Sequence, residues 1–183
     1  DFSSLVQDYD VIINAIGPNN IECKLSDSQS EFFYSSLPRK LIKFANTKKI
    51  RYLQFSSIHS VNYKLKKDLL VSPYDEMPNS LYGTYHNNLE KLFINRENKD
   101  NYASIIRLSN SIGPPITIKY NKNQWISICN KFAYQLFNNE KILINDPYLF
   151  KSFTPISLIL KNVKDLTQIR KRKPIYQFVT NYK

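Results

Sequence analysis

Leu81-Tyr82-Gly83-Thr84-Tyr85-His86-Asn87-Asn88-Leu89-Glu90-Lys91-Leu92-Phe93 is the stretch whose reading decides the fold. Tyr82, Tyr85, His86, Leu89, Leu92 and Phe93 recur at helical spacing, which predicts a helix from about Ser80 to Asn95. Tyr82 and His86 then stand four residues apart on one face, near enough for a phenol and an imidazole to act on the same ligand. Upstream, Arg51 to Ser57 reads as a strand that ends in two hydroxyls, Ser56 and Ser57. Downstream, Ala103 to Leu108 reads as a second strand. It runs into the polar, broken turn Ser109-Asn110-Ser111-Ile112-Gly113-Pro114-Pro115. Polar strand ends that converge on one helix face point to a ligand site in an open α/β sheet. Taken alone, the same stripe is what a core-facing helix shows, and a strand-end serine commonly caps a turn.

Working outward, Val11-Ile12-Ile13-Asn14-Ala15-Ile16 lies between Asp10 and the Gly17-Pro18 breaker, and predicts a strand buried on both faces. Asn14 inside it either shapes a ligand crevice or ties down the next loop, and the two readings stand even. Asp27 to Lys49 carries a helical stripe, with Ser36 placed to cap a helix that begins before Pro38. Asn62 to Ser80 reads as loop and Asn121 to Asn123 as linker. Gln124 to Phe137 reads as a helix, Lys141 to Ile144 as a short strand and Phe150 to Pro155 as extended. Ser157 to Ile169 is a helix and Ile175 to Phe178 a last strand. Strands alternating with helices predict a parallel sheet with helices on its faces.

The net charge of +11 admits nucleic acid, an anionic surface or an anionic small molecule as partner. The cations are scattered, however. The dense run Arg170-Lys171-Arg172-Lys173 closes a predicted helix, where cations complement the helix dipole. A nucleic-acid site is therefore disfavoured. Only three glycines are present, Gly17, Gly83 and Gly113, so no glycine-rich phosphate loop can be written. No run of about 18 apolar residues predicts a membrane span. Asp1-Phe2-Ser3-Ser4 does not open a signal peptide. Cys23 and Cys129 read as free thiols of a cytoplasmic protein, and no residues have metal-ligand spacing.

In order along the chain, these segments resemble the extended short-chain dehydrogenase/reductases, in particular the NAD(P)-dependent sugar-nucleotide epimerase/dehydratase group. Asp10 to Gly17 resembles the fourth-strand segment beside the cofactor. Phe55-Ser56-Ser57-Ile58-His59-Ser60-Val61 resembles the strand with the catalytic Ser/Thr. Tyr82-Gly83-Thr84-Tyr85-His86 resembles the Tyr-x-x-x-Lys helix, and Ile106 to Pro114 the segment that closes over nicotinamide and substrate. Phe153-Thr154-Pro155-Ile156 resembles the return from the substrate lid. The resemblance implies an α/β fold: an incomplete Rossmann-type parallel sheet with helices on both faces, plus part of a small substrate-binding region. Residues 1–115 would be the later part of the cofactor domain, without the first Gly-rich strand-turn-helix. Residues 116–183 would belong to the substrate-binding region and its return segment.

The implied chemistry is NAD- or NADP-dependent epimerisation or dehydration of a nucleotide sugar, with a homodimer through the Tyr82 helix as the implied assembly. Tyr82 takes the acid/base role with Ser57, for which Ser56 is the rival, and His86 stands where the family has lysine. Asn14, Ala15, Ile16, Gly17, Tyr82, His86 and Ser109 would contact the cofactor. Ser57, Ile58, His59 and Asn110 would contact substrate, although His59 also reads as a plain loop histidine. A free phenol is only ~0.1% ionised at pH 7, so the site has to lower its pKa by roughly three units. An unperturbed imidazole at His86 is protonated about a quarter of the time at pH 7, a weaker field than a lysine's. Two other readings stand beside this one: a catalytically degenerate relic or partner subunit of the fold, and a basic nucleic-acid-binding module.

Overall fold

A computed structural model of the chain describes residues 9–61, 73–74, 77–94, 102–114, 127–144, 151–169 and 172–178. In chain order the elements are β1 (Val11–Asn14), α1 (Glu22–Leu25), α2 (Asp27–Glu31), a π-helical turn (Phe32–Ser36) and α3 (Leu37–Lys48). Next come β2 (Arg51–Ser57), a 3-10 turn (Ile58–Ser60), α4 (Leu81–Ile94), β3 (Ala103–Leu108) and β4 (Asn110–Ile112). The last are α5 (Ile128–Phe137), β5 (Phe153–Pro155), α6 (Ile156–Gln168) and β6 (Ile175–Phe178). Four strands form a parallel sheet in the order β1-β2-β3-β6, and β4 pairs in parallel with β5.

Strand alternation divides the core between the two sheet faces. Tyr52 and Ile105 point to one face, where Leu41, Ile42 and Ala45 of α3 and Leu89, Leu92 and Phe93 of α4 cover them. Leu53 and Ile106 point to the other, under Ile159, Val163 and Leu166 of α6. The sequence therefore predicted the architecture correctly: an α/β protein with helices on both faces of a parallel sheet.

Several local expectations are corrected. β1 ends the described sheet, and Ile13 is 49% exposed because no described helix covers its face; it is not buried on both sides. Ser36 does not cap a helix, since its backbone is already helical; Ser26 caps α2 by accepting from the Gln29 N–H. Pro38 explains the difference. It has no N–H for the carbonyl of Tyr34, and its ring would crowd that carbonyl. The chain widens there to a π turn, closed by the Leu37 N–H on the Phe32 carbonyl, and the helix continues without a break.

Lys141 to Ile144 is not a strand. Leu143 and Ile144 are exposed, and no described strand lies beside them to complete a ladder. Conversely, the turn expected after Leu108 contains β4, because the Ser152 carbonyl accepts from both the Asn110 N–H and its amide. Arg172 lies past the end of α6 and sits 4.3 Å from the Tyr102 ring centroid, so it packs on an aromatic ring rather than on the helix end. The remaining expectations for 62–72, for the linker at 121–123, for the first turn of the Gln124 helix and for Arg170 and Lys171 lie outside the described residues.

The start of α4 is held against the 3-10 turn at close range. Ser80 Oγ accepts from the Gly83 N–H at 3.0 Å, and a Cβ built on Gly83 would meet the His59 carbonyl oxygen at 2.3 Å. In an open helix, Gly→Ala would stabilise by about 1 kcal/mol. Here Gly83→Ala is expected to destabilise by about 1–3 kcal/mol through overpacking, read as a lower urea midpoint at unchanged slope.

Candidate active site

At the carboxyl ends of β1, β2 and β3, where open α/β sheets hold their ligands, lies a cleft of about 510 Å³. Ala15, Ile16 and Gly17 form one wall, and Ser57, Ile58 and His59 a second. Tyr82 and His86 enter from α4, and Ser109 and Asn110 follow β3. Asn14 is the nominated residue that stays out of the cleft. Its amide donates to Gln54 Oε1 of β2 at 2.9 Å and accepts from the Ile16 N–H at 3.0 Å, so one end ties β1 to β2 and the other ties down the loop. Lys131 of α5 and Lys151 reach the same cleft from the later part of the chain.

Register separates the two serines. Ser56 faces α4 and pairs with Arg107 across β2 and β3, and Arg107 pairs with Gln177 of β6. Glu90 of α4 settles on this row. Arg107 donates to it through Nε at 3.1 Å and through a terminal nitrogen at 2.5 Å, and its other terminal nitrogen donates to Gln177 at 3.0 Å. Both members of the ion pair are fully buried. Ser56 Oγ donates to Glu90 at 2.7 Å and lies 3.2 Å from His86 Nδ1. Ser57 borders the cleft as Ser56 does; its hydroxyl accepts from the His59 N–H at 3.3 Å and lies near enough to the Tyr82 phenol to act on its pKa. Ser109 and Asn110 are partly committed to structure, Ser109 to Thr154 at 2.6 Å and Asn110 to the Ser152 carbonyl at 3.0 Å.

The electrostatics differ from the sequence expectation. Burial raises the Tyr82 phenol above its ordinary pKa, and the Ser57 hydrogen bond offsets this only in part. Burial, with a smaller contribution from His59, lowers His86 to about 3. His86 is thus neutral at pH 7, not a quarter protonated, and Tyr82 rests as a phenol. Loss of surrounding water and the Lys151 cation likewise lower His59, on the exposed rim.

The sequence matches no protein-family model and no curated protein sequence. Solved structures do match. UDP-glucuronic acid 4-epimerase from Bacillus cereus, in complex with UDP-glucuronic acid and NAD, aligns with a TM-score of 0.76 at 15% identity, over 100% of this chain and 57% of that one. dTDP-glucose 4,6-dehydratase from Bacillus anthracis, in complex with NAD, aligns with a TM-score of 0.70 at 12% identity, over 94% and 52%. UDP-glucose 4-epimerase from Thermotoga maritima, with UDP-glucose, aligns with a TM-score of 0.70 at 12% identity, over 93% and 55%. The chain has the fold of sugar-nucleotide epimerases and dehydratases. It spans just over half the length of each.

Within this epimerase/dehydratase fold, two site residues escaped the sequence reading. Tyr34 projects from the π turn into the cleft, where its ring packs 4.6 Å from His86 and 6.5 Å from Tyr82. Its hydroxyl donates to the Pro18 carbonyl at 2.5 Å, and a Cβ on Gly17 would meet it at 3.0 Å. Pro38, four residues on, was the available signal. Glu90 was quoted but given no role. A lone arginine in the apolar strand Ala103–Leu108 requires a buried carboxylate, and Glu90 is the acid on the facing helix.

Two outcomes are expected. Between about pH 6.5 and about pH 3 the unfolded chain binds a proton at His86 that the folded chain refuses. Stability therefore falls as pH drops through that window, by at most about 1.4 kcal/mol per pH unit, and this group contributes no slope above it. Urea unfolding at about pH 7 and about pH 5 should show the loss, and His86→Phe should remove that share of it. Separately, Arg107→Met strands the Glu90 carboxylate and should cost about 3–5 kcal/mol, whereas Arg107→Met with Glu90→Leu should recover a large part.

Proposed function

We propose that the cleft is the nicotinamide-and-sugar half of an NAD(P)-dependent site for a nucleotide sugar, with Tyr82 as general acid/base and Ser57 orienting the reacting oxygen. The observation that supports this reading is that Tyr82 and Ser57 line one cleft at the strand carboxyl ends. A volume of about 510 Å³ lies in the ordinary range for a small-molecule site. None of the three glycines forms a phosphate loop, so the residues here fit the nicotinamide end and not the pyrophosphate. Bound NAD would supply hydride exchange at a sugar carbon.

The residues of this chain then divide the remaining work. Ser57 holds the sugar oxygen against Tyr82, and Tyr82 moves the proton at that oxygen. Ile16 and Ile58 restrict water at the cleft walls. Lys131 and Lys151 bring positive charge suited to a diphosphate, which supports reading residues 116–183 as the substrate side and 1–115 as the cofactor side. Because Tyr82 rests protonated, it is ready as an acid and poorly prepared as a base.

That last point favours a second reading: a cofactor-binding protein of this fold with slow or absent turnover. A neutral His86 supplies no positive charge to the phenol. Titration of the chain with NADH, followed by nucleotide fluorescence, tests both; saturable binding is required by either, and its absence rejects both. Conversion of UDP-glucose with added NAD separates them. For the enzyme, Tyr82→Phe should lower turnover about 10²- to 10⁴-fold with NADH binding retained. His86→Lys should raise turnover near neutral pH by restoring a field that ionises Tyr82. Abolished turnover in His86→Lys would show that His86 is not a weakened lysine substitute.

A further inference from the structure

His86 is 6% exposed, and its buried Nε2 has no hydrogen-bond partner among the described residues. A buried imidazole nitrogen without a partner needs a reason. The state of that nitrogen follows from proton counting along the chain Glu90, Ser56, His86. Glu90, gripped on both oxygens by Arg107, only accepts. Ser56 owns one hydroxyl proton and stands 2.7 Å from Glu90 and 3.2 Å from His86 Nδ1. The shorter, charge-assisted bond takes the proton. The serine then offers Nδ1 a lone pair, which makes a hydrogen bond only if Nδ1 carries hydrogen. A neutral ring has one such hydrogen, so Nε2 is bare. The order acid–serine–histidine is the reverse of the arrangement that activates a serine nucleophile, and here the serine proton points away from the imidazole.

The His86 ring borders the cleft between Tyr82, 4.5 Å away between centroids, and Tyr34 at 4.6 Å, both edge-to-face. We propose that Glu90 and Ser56 are positioning residues that lock His86 in its Nδ1–H tautomer, making Nε2 a bare hydrogen-bond acceptor for a ligand hydroxyl, which reaches it by parting the Tyr34 and Tyr82 rings that cover it. A lysine at this position would donate; His86 has the opposite polarity. That the hydroxyl belongs to a ribose or hexose rests on the nucleotide-sugar reading above, whereas the tautomer lock does not depend on it.

The chain has two histidines, His59 and His86, so nitrogen-15 histidine spectra are assignable with a single His59→Gln control. The ligand-free protein should show His86 with a protonated Nδ1 and a bare Nε2. Ser56→Ala should lose this single-tautomer pattern, and Ser56→Thr, which keeps the hydroxyl, should retain it. A protonated Nε2 in the wild type, or an unchanged pattern in Ser56→Ala, overturns the lock. With NADH as the probe, the His86 Nε2 resonance should move toward the hydrogen-bonded range, and His86→Phe should weaken binding about five-fold. NADH that binds while Nε2 stays unmoved overturns the acceptor role. If NADH does not bind and the ligand-free tautomer is as stated, the nicotinamide reading falls and the lock stands.

Discussion

The buried pair of Arg107 and Glu90 is the constraint on which the rest of the arrangement depends. Each charge, removed from water, would cost several kcal/mol, and only mutual contact with full hydrogen bonding offsets that cost. Because Arg107 sits in the middle strand, its partner must come from a helix lying across it, in one register and at one depth. A helix slid by one turn would leave both charges stranded. The pair therefore fixes α4 over the sheet, and with it the position of everything α4 carries. The parallel register sets Ser56 and Gln177 on either side of Arg107, so hydrogen-bonding side chains flank the charged pair.

From that anchor α4 divides into two functions. Its second half, with Leu89, Leu92 and Phe93, packs into the apolar core shared with α3. Its first half presents Tyr82 and His86 to the cleft and buries Asn87, whose amide donates to the carbonyls of Ser60 and Pro73 at 2.8 Å each. Those bonds, together with the tight seat at Gly83, hold the turn after β2 against the helix. Ser57 and Tyr82 thus come from separate elements yet line one cleft, and neither needs a long-range device of its own. Tyr34 enters from the third side through the helix widened by Pro38.

The strands were legible because hydrophobic runs and turn residues bracket them; Arg51–Ser57 and Ala103–Leu108 begin and end in the structure where the sequence puts them. What was not legible depends on partners distant in sequence. Ile13 belongs to a strand whether or not anything covers it, so composition overstated its burial. Lys141 to Ile144 has strand-like residues without a ladder to join. Spacing cannot separate Ser56 from Ser57, since both end the same strand; that Ser56 reaches the α4 acid while both border the cleft is seen only in the structure. Likewise the helical stripe named Tyr82 and His86 but gave no hint that Glu90 and Asn87 are buried between sheet and helix, because polar residues count against burial in any pattern.

The same burial that stabilises α4 sets the chemistry available at its first turn. A solvated imidazole beside Tyr82 would carry some positive charge near neutral pH and favour the phenolate. Placed under two tyrosine rings and bonded to a serine already committed to Glu90, the imidazole instead stays neutral, and burial raises the phenol. Both shifts have one cause, and they reinforce each other: a neutral His86 cannot favour the phenolate, and an un-ionised Tyr82 gives His86 no anion to attract a proton. An outside charge is needed to leave that state. Lys131 and Lys151 border the cleft, one from α5 and the other from the residues before β5, and neither belongs to α4. On α4 itself, the first turn supplies no charge that would favour the phenolate.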